Sequence, residues 1–504
     1  MTLAHNQPLA LEMAYIGVEE CLRLGASYAD ARFELRDHEE LRARNGHTTQ
    51  ARMTSSRGLG LRVLVRGSWA FVALSEPTRH DVSVAARRAV EMAKAAAILS
   101  DVRDEVPPVA TQRGVFRAPV DIDPFEVSMA DKLDVLRRFE DRALRSPQVV
   151  TTRVHYFAHR ARKVLVTSEG SEVEQDLTTC HLGFETGASD GAQLQVASCP
   201  AGRHGARGGG WERLASIDPE AEADRLTQLA VQQLEAPCCP VDAAPVIFAP
   251  DVLGTVLMAA MEQFDGRRPN RAGLGEVWTP GDLDVWSQPE LSGGAGSIGF
   301  DDEGIPAQAI PLVMEGKVIS HLLDRAAAHA AGLETSSGCM RAASWATEPQ
   351  LRPTNLVVAG GTTGSVEDLQ AETEQGFFME GLRSLSVRAD GTEFFGVAER
   401  AWRIEDGKRT RMLRNPAFRG GVRALWQRLV GIGTETQPMG LMHQAKGRSE
   451  QLLASGVLAP HGLFREVEVG SSELPPGDSV DLPVVNPRSG PAMAKAAGHR
   501  QGDA

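Results

Sequence analysis

No segment of the 504 residues approaches the roughly 18 uninterrupted apolar residues that a membrane-spanning helix requires. Met1 to Ala10 contain no basic stretch followed by an apolar one, so no secretion signal is expected and the chain reads as cytoplasmic. Cysteine is sparse: Cys21, Cys180, Cys199, Cys238, Cys239 and Cys339 include no C-x-x-C pair, which excludes a zinc knuckle or a dithiol redox centre and leaves reduced thiols. There is no P-loop and no Gly-x-Gly-x-x-Gly opening a helix after a strand, so nucleotide binding drops out. Basic charge is also short, 53 Lys and Arg against 66 Asp and Glu. The resulting net charge of -13 repels phosphate backbones and anionic lipid, so neither nucleic acid nor a membrane is an expected partner.

What is present is an ordinary globular composition, 42% hydrophobic and 24% charged, enough for a sizeable core and two to four domains. Leu9 to Leu24 carry apolar residues at helical spacing and stop at Gly25. Tyr28–Leu35 and Leu59–Leu64 alternate as strands, with Gly67 at a hairpin turn, and Thr78 to Ile98 is again helical. A second unit has a helix from Phe125 to about Arg145, strands near 149–157 and 163–167, a turn at Ser168-Glu169-Gly170 and a closing helix from Pro219 to Leu234. Pro237 and Pro240 mark a boundary. Beyond it run short strands broken by Gly and Pro, with helices at Val252–Phe264 and near Asp324–Ala331. The expected class is α+β, with units at 1–115, 116–240 and a β-rich 241–470, and a disordered tail at 471–504 rich in Pro, Gly, Ser and Ala.

Several ordered motifs resemble the TldD/PmbA family of metalloprotease-like proteins. They are Tyr28-Ala-Asp-Ala-Arg32, the turn Arg44-Asn45-Gly46, Gly58-Leu-Gly-Leu-Arg-Val-Leu-Val-Arg-Gly67 with Trp69-Ala-Phe71, Thr167-Ser-Glu-Gly170 with Glu174-Gln175, and Val246-Ile-Phe-Ala-Pro250. The strongest is Phe300-Asp-Asp-Glu-Gly-Ile-Pro306, followed by Arg352-Pro-Thr-Asn-Leu356 and Trp402-Arg-Ile-Glu-Asp-Gly-Lys408. The Arg-Pro-Thr-Asn segment leans toward the TldD branch. In catalytic members of that branch, the resemblance implies, a helix after the Ala-Pro turn carries His-Glu-x-x-x-His, and a Cys near the C-terminus completes a zinc site. Here the matching positions are Met258, Ala259 and Gln263, no histidine lies between His204 and His321, and no cysteine follows Cys339. A thioether, a methyl and an amide do not make a zinc centre, so no cofactor is predicted and the metal positions are empty of ligands.

Two readings of that helix stand side by side. In one, Val252, Leu253, Val256, Leu257, Met261 and Phe264 form an apolar stripe, so the helix is core and Met258 is filler. In the other, a rebuilt site uses Glu262, Asp265 and a distant histidine, His321, His329 or His443. Asp301, Asp302 and Glu303 are candidate ligand-contacting or acid-base groups, although three acids before Gly304 read first as a solvated turn. His155 and His159 sit in a β-like stretch, where residues four apart lie about 13 Å apart on one face, a structural or surface pattern. Ser336-Ser337 reads as a Gly-rich loop rather than a nucleophile.

By resemblance, the leading expectation is a non-catalytic subunit of a heterodimeric peptidase, paired with a TldD/TldE-like paralogue or with itself, enclosing peptides or maturing a peptide-like product. Large apolar residues would then line an exposed sheet face. The alternatives are a re-purposed hydrolase using the acidic triplet and His443, and a non-enzymatic module that binds peptides by strand addition.

Overall fold

The computed structural model describes residues 3–201, 205–388, 391–445 and 451–472. The expected tail lies outside the described residues from Glu473 onward. The chain up to Ser472 forms one contact unit of α+β type. Helix α1 (Leu3–Arg23) leads into three antiparallel strands, β1 (Tyr28–Arg44), β2 (His47–Val65) and β3 (Ser68–Ser75), then helix α2 (Arg79–Leu99). The β1–β2 turn requires positive φ at both central residues, 52° at Asn45 and 79° at Gly46, which Asn-Gly supplies with little strain. Thr78 starts α2 with a reciprocal capping box to Asp81.

Strands β4 (Arg113–Arg117), β5 (Val149–Thr167) and β6 (Glu172–Ser189) complete the main path of an eight-stranded sheet in the order β3-β2-β1-β5-β6-β4, and two short strands also pair with β6. The two strands expected at 149–157 and 163–167 are one continuous strand. Its middle, Ala158 to Arg162, is polar enough to hide the alternation, but β1 and β6 pair with it along its length.

All four long helices of this half pack on one face of the sheet. Helices α1 and α2 bury Ala29, Ala31 and Phe33 of β1 with Leu61 and Val63 of β2. Helix α3 (Met129–Ala143) and the helix Pro219–Glu235 bury Leu41 and Ala43 with Tyr156, Ala158 and Leu182. The β1 residues packed under these helices are thus odd-numbered, and the even-numbered ones face the opposite side.

The C-terminal part holds a seven-stranded sheet around Asp242–Phe248 and a six-stranded sheet that includes Gln437–Ala445 and Gln451–Ala459. The helix Pro250–Ala260 continues as a 3-10 turn, Met261–Phe264, so the expected single helix ends in a tightened turn. Its apolar stripe joins Phe248, Phe418, Phe464, Trp278 and Val457 in the largest core of the chain. Helices at Val366–Thr373 and Val422–Trp426, absent from the sequence reading, are short, and Ser365 and Asp368 cap the first reciprocally.

Candidate functional site

On the helix-free face of the eight-stranded sheet, β1 is polar and mostly charged along its length. The even positions of β1 are Asp30, Arg32, Glu34, Arg36, His38, Glu40 and Arg42. Loops between Gly299 and Thr347 cover its first half. Arg62 of β2 donates through Nε and Nη2 to Asp30 at 2.9 and 2.7 Å, and its Nη2 reaches Glu303 at 3.1 Å. Arg32 pairs with Glu34 at 2.8 Å, stands 3.5 Å from Asp302, and donates to the backbone carbonyls of Ser344 and Thr347. Lys163 of β5 donates to Asp302 at 2.7 Å.

The acidic triplet is therefore not the solvated turn expected of it. Asp301, Asp302 and Glu303 are only 1%, 2% and 3% exposed, because three cations on β1, β2 and β5 neutralise the loop as it docks. Each acid has a distinct task. Asp301 shapes the loop by accepting from the amides of Glu303, Ile305 and Met340, and burial together with the charge of Glu303 raises its carboxyl above the ordinary range. Asp302 faces Lys163 and Arg32, which outweigh burial and hold it below the ordinary carboxylate range. Glu303 reaches Arg62 and the amide of Arg325. Glycines give the loop its landing surface: a Cβ at Gly58 would stand 2.3 Å from the Trp345 ring, and one at Gly60 2.6 Å from the Trp345 carbonyl oxygen.

The second half of the face is only partly covered, and its side chains are half-buried. Glu40 accepts from Arg42 and from Gln50 at 2.6 Å, and His155 Nε2 lies 3.0 Å from it. Burial opposes its charge, but hydrogen bonds from His155, His38 and Arg42 hold Glu40 well below the usual range. Phe157 stacks on His181 with centroids 5.0 Å apart, and His155 and His159 flank Phe157 on the same face. Burial, then the neighbouring His155, lowers His181 to about 3. Burial and Arg36 push His159 well below the ordinary histidine value. The solvent-facing part of this face is polar and histidine-rich, and its large apolar residues, Phe157 and Leu177, are few; Leu165, Trp69 and Phe71 lie on the same face toward its covered end. Sequence reading followed the alternation only to Leu35; its continuation to Arg42 was the available signal.

At the family's metal positions, Met258 is buried, and Ala259 and Gln263 are half-buried. Neighbouring Glu262 and Asp265 lie 3.8 and 3.9 Å from Arg268, and burial raises Asp265. The distant histidines go elsewhere. His321 Nε2 bonds the carbonyl of Ala272 at 2.7 Å, and His329 faces Glu105 at 3.7 Å on the surface. His443 is paired opposite Leu453 in its strand, and its side chain lies outside the described residues. Among the described residues no three of His, Cys, Asp or Glu are grouped to hold a metal. The donor set at 258, 259 and 263 does not fit zinc: the thioether and amide are poor ligands, and the alanine at 259 cannot take a proton. Ser337 Oγ accepts from the amide of Leu323 and Ser336 Oγ from that of Gly338, so both stitch backbone.

An N-terminal sheet with helices on one face, followed by a β-rich region built around a buried helix, is the α+β architecture of the chain. Family models match along it: the PmbA/TldA metallopeptidase domain 1 matches residues 29–97, the central domain 122–234 and the C-terminal domain 242–471. The chain belongs to the PmbA/TldD family. It is 26% identical to a Synechocystis metalloprotease over 410 residues, covering 79% of this chain and 85% of that protein. It is 23% identical to a TldD-homologue metalloprotease of Haemophilus influenzae, covering 89% and 91%. Two crystal structures share the fold. A proposed DNA gyrase modulator from Thermotoga maritima superposes with a TM-score of 0.71 at 17% identity, covering 91% of this chain and 99% of its own. TldE from Thermococcus kodakarensis gives 0.68 at 18%, covering 90% and 99%.

Proposed function

We propose that this chain is the non-catalytic subunit of a two-subunit peptidase, pairing with a zinc-bearing relative and shaping the space in which a peptide or peptide-like product is held. The observation that carries this reading is the helix Pro250–Ala260, kept as buried core while Met258, Ala259 and Gln263 stand where zinc ligands and a base would be. The charged, half-open sheet face supports it, since a polar surface suits a peptide backbone better than an apolar ligand does. The rival hydrolase reading is weakened because Asp302 and Glu303 are already committed to Lys163, Arg32 and Arg62.

Elemental analysis tests the proposal on protein purified without a metal-chelating tag, alone and co-expressed with a relative that carries His-Glu-x-x-x-His. The expected result is no stoichiometric zinc in this chain alone, and one zinc per complex that disappears when the relative's histidines are replaced. Stoichiometric zinc in the isolated chain would overturn it.

A further inference from the structure

Several buried arginines of this protein are matched by acids: Arg32, Arg62, Arg325 and Arg400 each meet a carboxylate at 2.6 to 2.8 Å. Arg207 and Arg213 break that pattern. Arg207 lies on the short strand Arg207–Gly208, which pairs with β6, and Arg213 on the four-residue helix Glu212–Ala215 that follows. Arg207 is half-buried, yet among the described residues it makes no ion pair and no side-chain hydrogen bond. Burial, then the charge of neighbouring Arg213, pushes its guanidinium below the ordinary arginine value. Arg213 is poorly matched as well. Its Nε is buried without a hydrogen-bond partner, and its ion pair with Glu212 Oε1 spans 3.7 Å. Glu212 is committed to backbone instead, accepting from the amides of Gly210 at 2.7 Å and Ile122 at 3.0 Å. The nearby thiols supply no negative charge either, since burial pushes Cys199 up and Cys180 up to about 12.

Two neighbouring cations withdrawn from water without an anion are unfavourable, and a ligand that brings the missing charge relieves them. We infer that Arg207 and Arg213 form a binding site for a single carboxylate group, carried by a small organic acid or by the C-terminus of a peptide. Charge sets the class: two guanidinium groups beside the Glu212 carboxylate leave one net positive charge, which a monoanion cancels and a phosphate dianion exceeds. Shape agrees, because a guanidinium fork matches both oxygens of a carboxylate. A glycine keeps the place clear. Gly209 holds φ at 119°, and a Cβ there would stand 3.0 Å from Arg213 Nε, on the very atom left without a partner. The Arg213 side chain is 34% exposed, so a ligand reaches it from solvent. The amide of Gly208 donates to the carbonyl of Gly293 at 2.9 Å, which sets the site where the first sheet meets the C-terminal region. This inference does not depend on the zinc-free subunit reading.

Differential scanning calorimetry on the full chain, at neutral pH and fixed ionic strength, tests it with acetate, N-acetyl-dialanine and N-acetyl-dialanine amide as probes. The acids are expected to raise the melting temperature in step with their concentration, because a ligand that binds only the folded chain stabilises it; the amide should leave it unchanged. Equal responses to acetate and the peptide acid would mark a small acid as the ligand, and a stronger response to the peptide acid would mark a peptide C-terminus. Arg207→Gln and Arg213→Gln should each lower the apparent affinity at least about tenfold, the loss of a charged hydrogen bond. Without any probe, Arg207→Gln should melt no lower than the wild type, since the group it removes has a repelling neighbour and no partner. A merely structural arginine would lower the melting temperature when replaced. No response to either acid, an equal response to the amide, a stronger one to inorganic phosphate, wild-type affinity in both variants, or a destabilised Arg207→Gln would each overturn the proposal. No metal enters these measurements, so they stand or fall apart from the zinc analysis.

Discussion

The two halves of β1 carry the same pattern in different surroundings. Asp30, Arg32 and Glu34 are 2–3% exposed beneath the loops of the C-terminal half, whereas His38, Glu40 and Arg42 continue the same alternation in contact with solvent. In the covered half every charge has been stripped of water and matched: Asp30 and Glu303 with Arg62, Glu34 and Asp302 with Arg32, and Asp302 again with Lys163. In the open half Glu40 gathers His155 and Arg42, whose side chains remain about a third exposed. Alternating charge on a strand therefore marks a face, not its fate. A buried network of this kind gains little over an apolar interface in net stability, but it is unforgiving of a missing member, and so fixes where the two halves of the chain meet.

The sharpest way to break the comparison is at Asp302. Asp302→Ala leaves Lys163 and Arg32 facing each other in a buried space and takes an acceptor from the amide of Ala342. The expected cost is about 3–5 kcal/mol, the usual penalty for removing one partner of a buried pair. Urea unfolding monitored by tryptophan fluorescence measures it, with Trp345 reporting on the docked loop. A loss below about 1 kcal/mol, the exposed-pair range, would mean that the covered half is no different from the open one.

How much of this was legible in the sequence depended on distance along the chain. The helix Pro250–Ala260 was readable because its stripe, Val252, Leu253, Val256 and Leu257, is a local periodicity, and the emptiness of 258, 259 and 263 as ligand positions needed only residue identity. The Asn45-Gly46 and Arg66-Gly67 turns were readable for the same reason. The burial of Asp301, Asp302 and Glu303 was not, because their partners sit on strands more than a hundred residues earlier, and three acids before a glycine look alike whether water or Arg62 faces them. Nor could spacing show that His38, His155, His159 and His181 share one face, since the register of β1 with β5 and of β5 with β6 brings them together. His321 and His329, conceivable metal ligands by type alone, point to a backbone carbonyl and a surface glutamate.

A pH series sharpens the comparison from the open side. His181 is held neutral in the fold, with its value lowered to about 3, whereas in the unfolded chain it takes up a proton near the ordinary histidine value. The unfolded state therefore binds more protons below about pH 6.5, so the stability His181 contributes is intact above that value and lost progressively as pH falls toward 3. His181→Phe keeps a ring against Phe157 but cannot titrate. Between pH 6.5 and 4.5 its stability should fall less steeply than the wild type's, by up to about 1.4 kcal/mol per pH unit, the slope of one proton. Parallel slopes in denaturant titrations across that range would show that His181 is already protonated in the fold.

The smallest effect belongs to Glu40. Glu40→Gln retains an acceptor for Arg42 and Gln50 and removes only the charge, and the partners it leaves can turn to water. The expected loss is about 1 kcal/mol or less, as for pairs at a hydrated surface. Its sign with pH follows from the depressed carboxyl: the contribution is present above the ordinary glutamate value of about 4.3 and disappears as pH falls below it, so the variant and wild type should converge in acid. Salt should also narrow the gap between them, because a Debye length of about 8 Å at physiological ionic strength screens partly exposed charges. The gap opened by Asp302→Ala should survive the same salt, since its ions are out of water's reach. If salt erased both differences equally, the cover over the first half of β1 would be no barrier to solvent, and the distinction between the two halves would not hold.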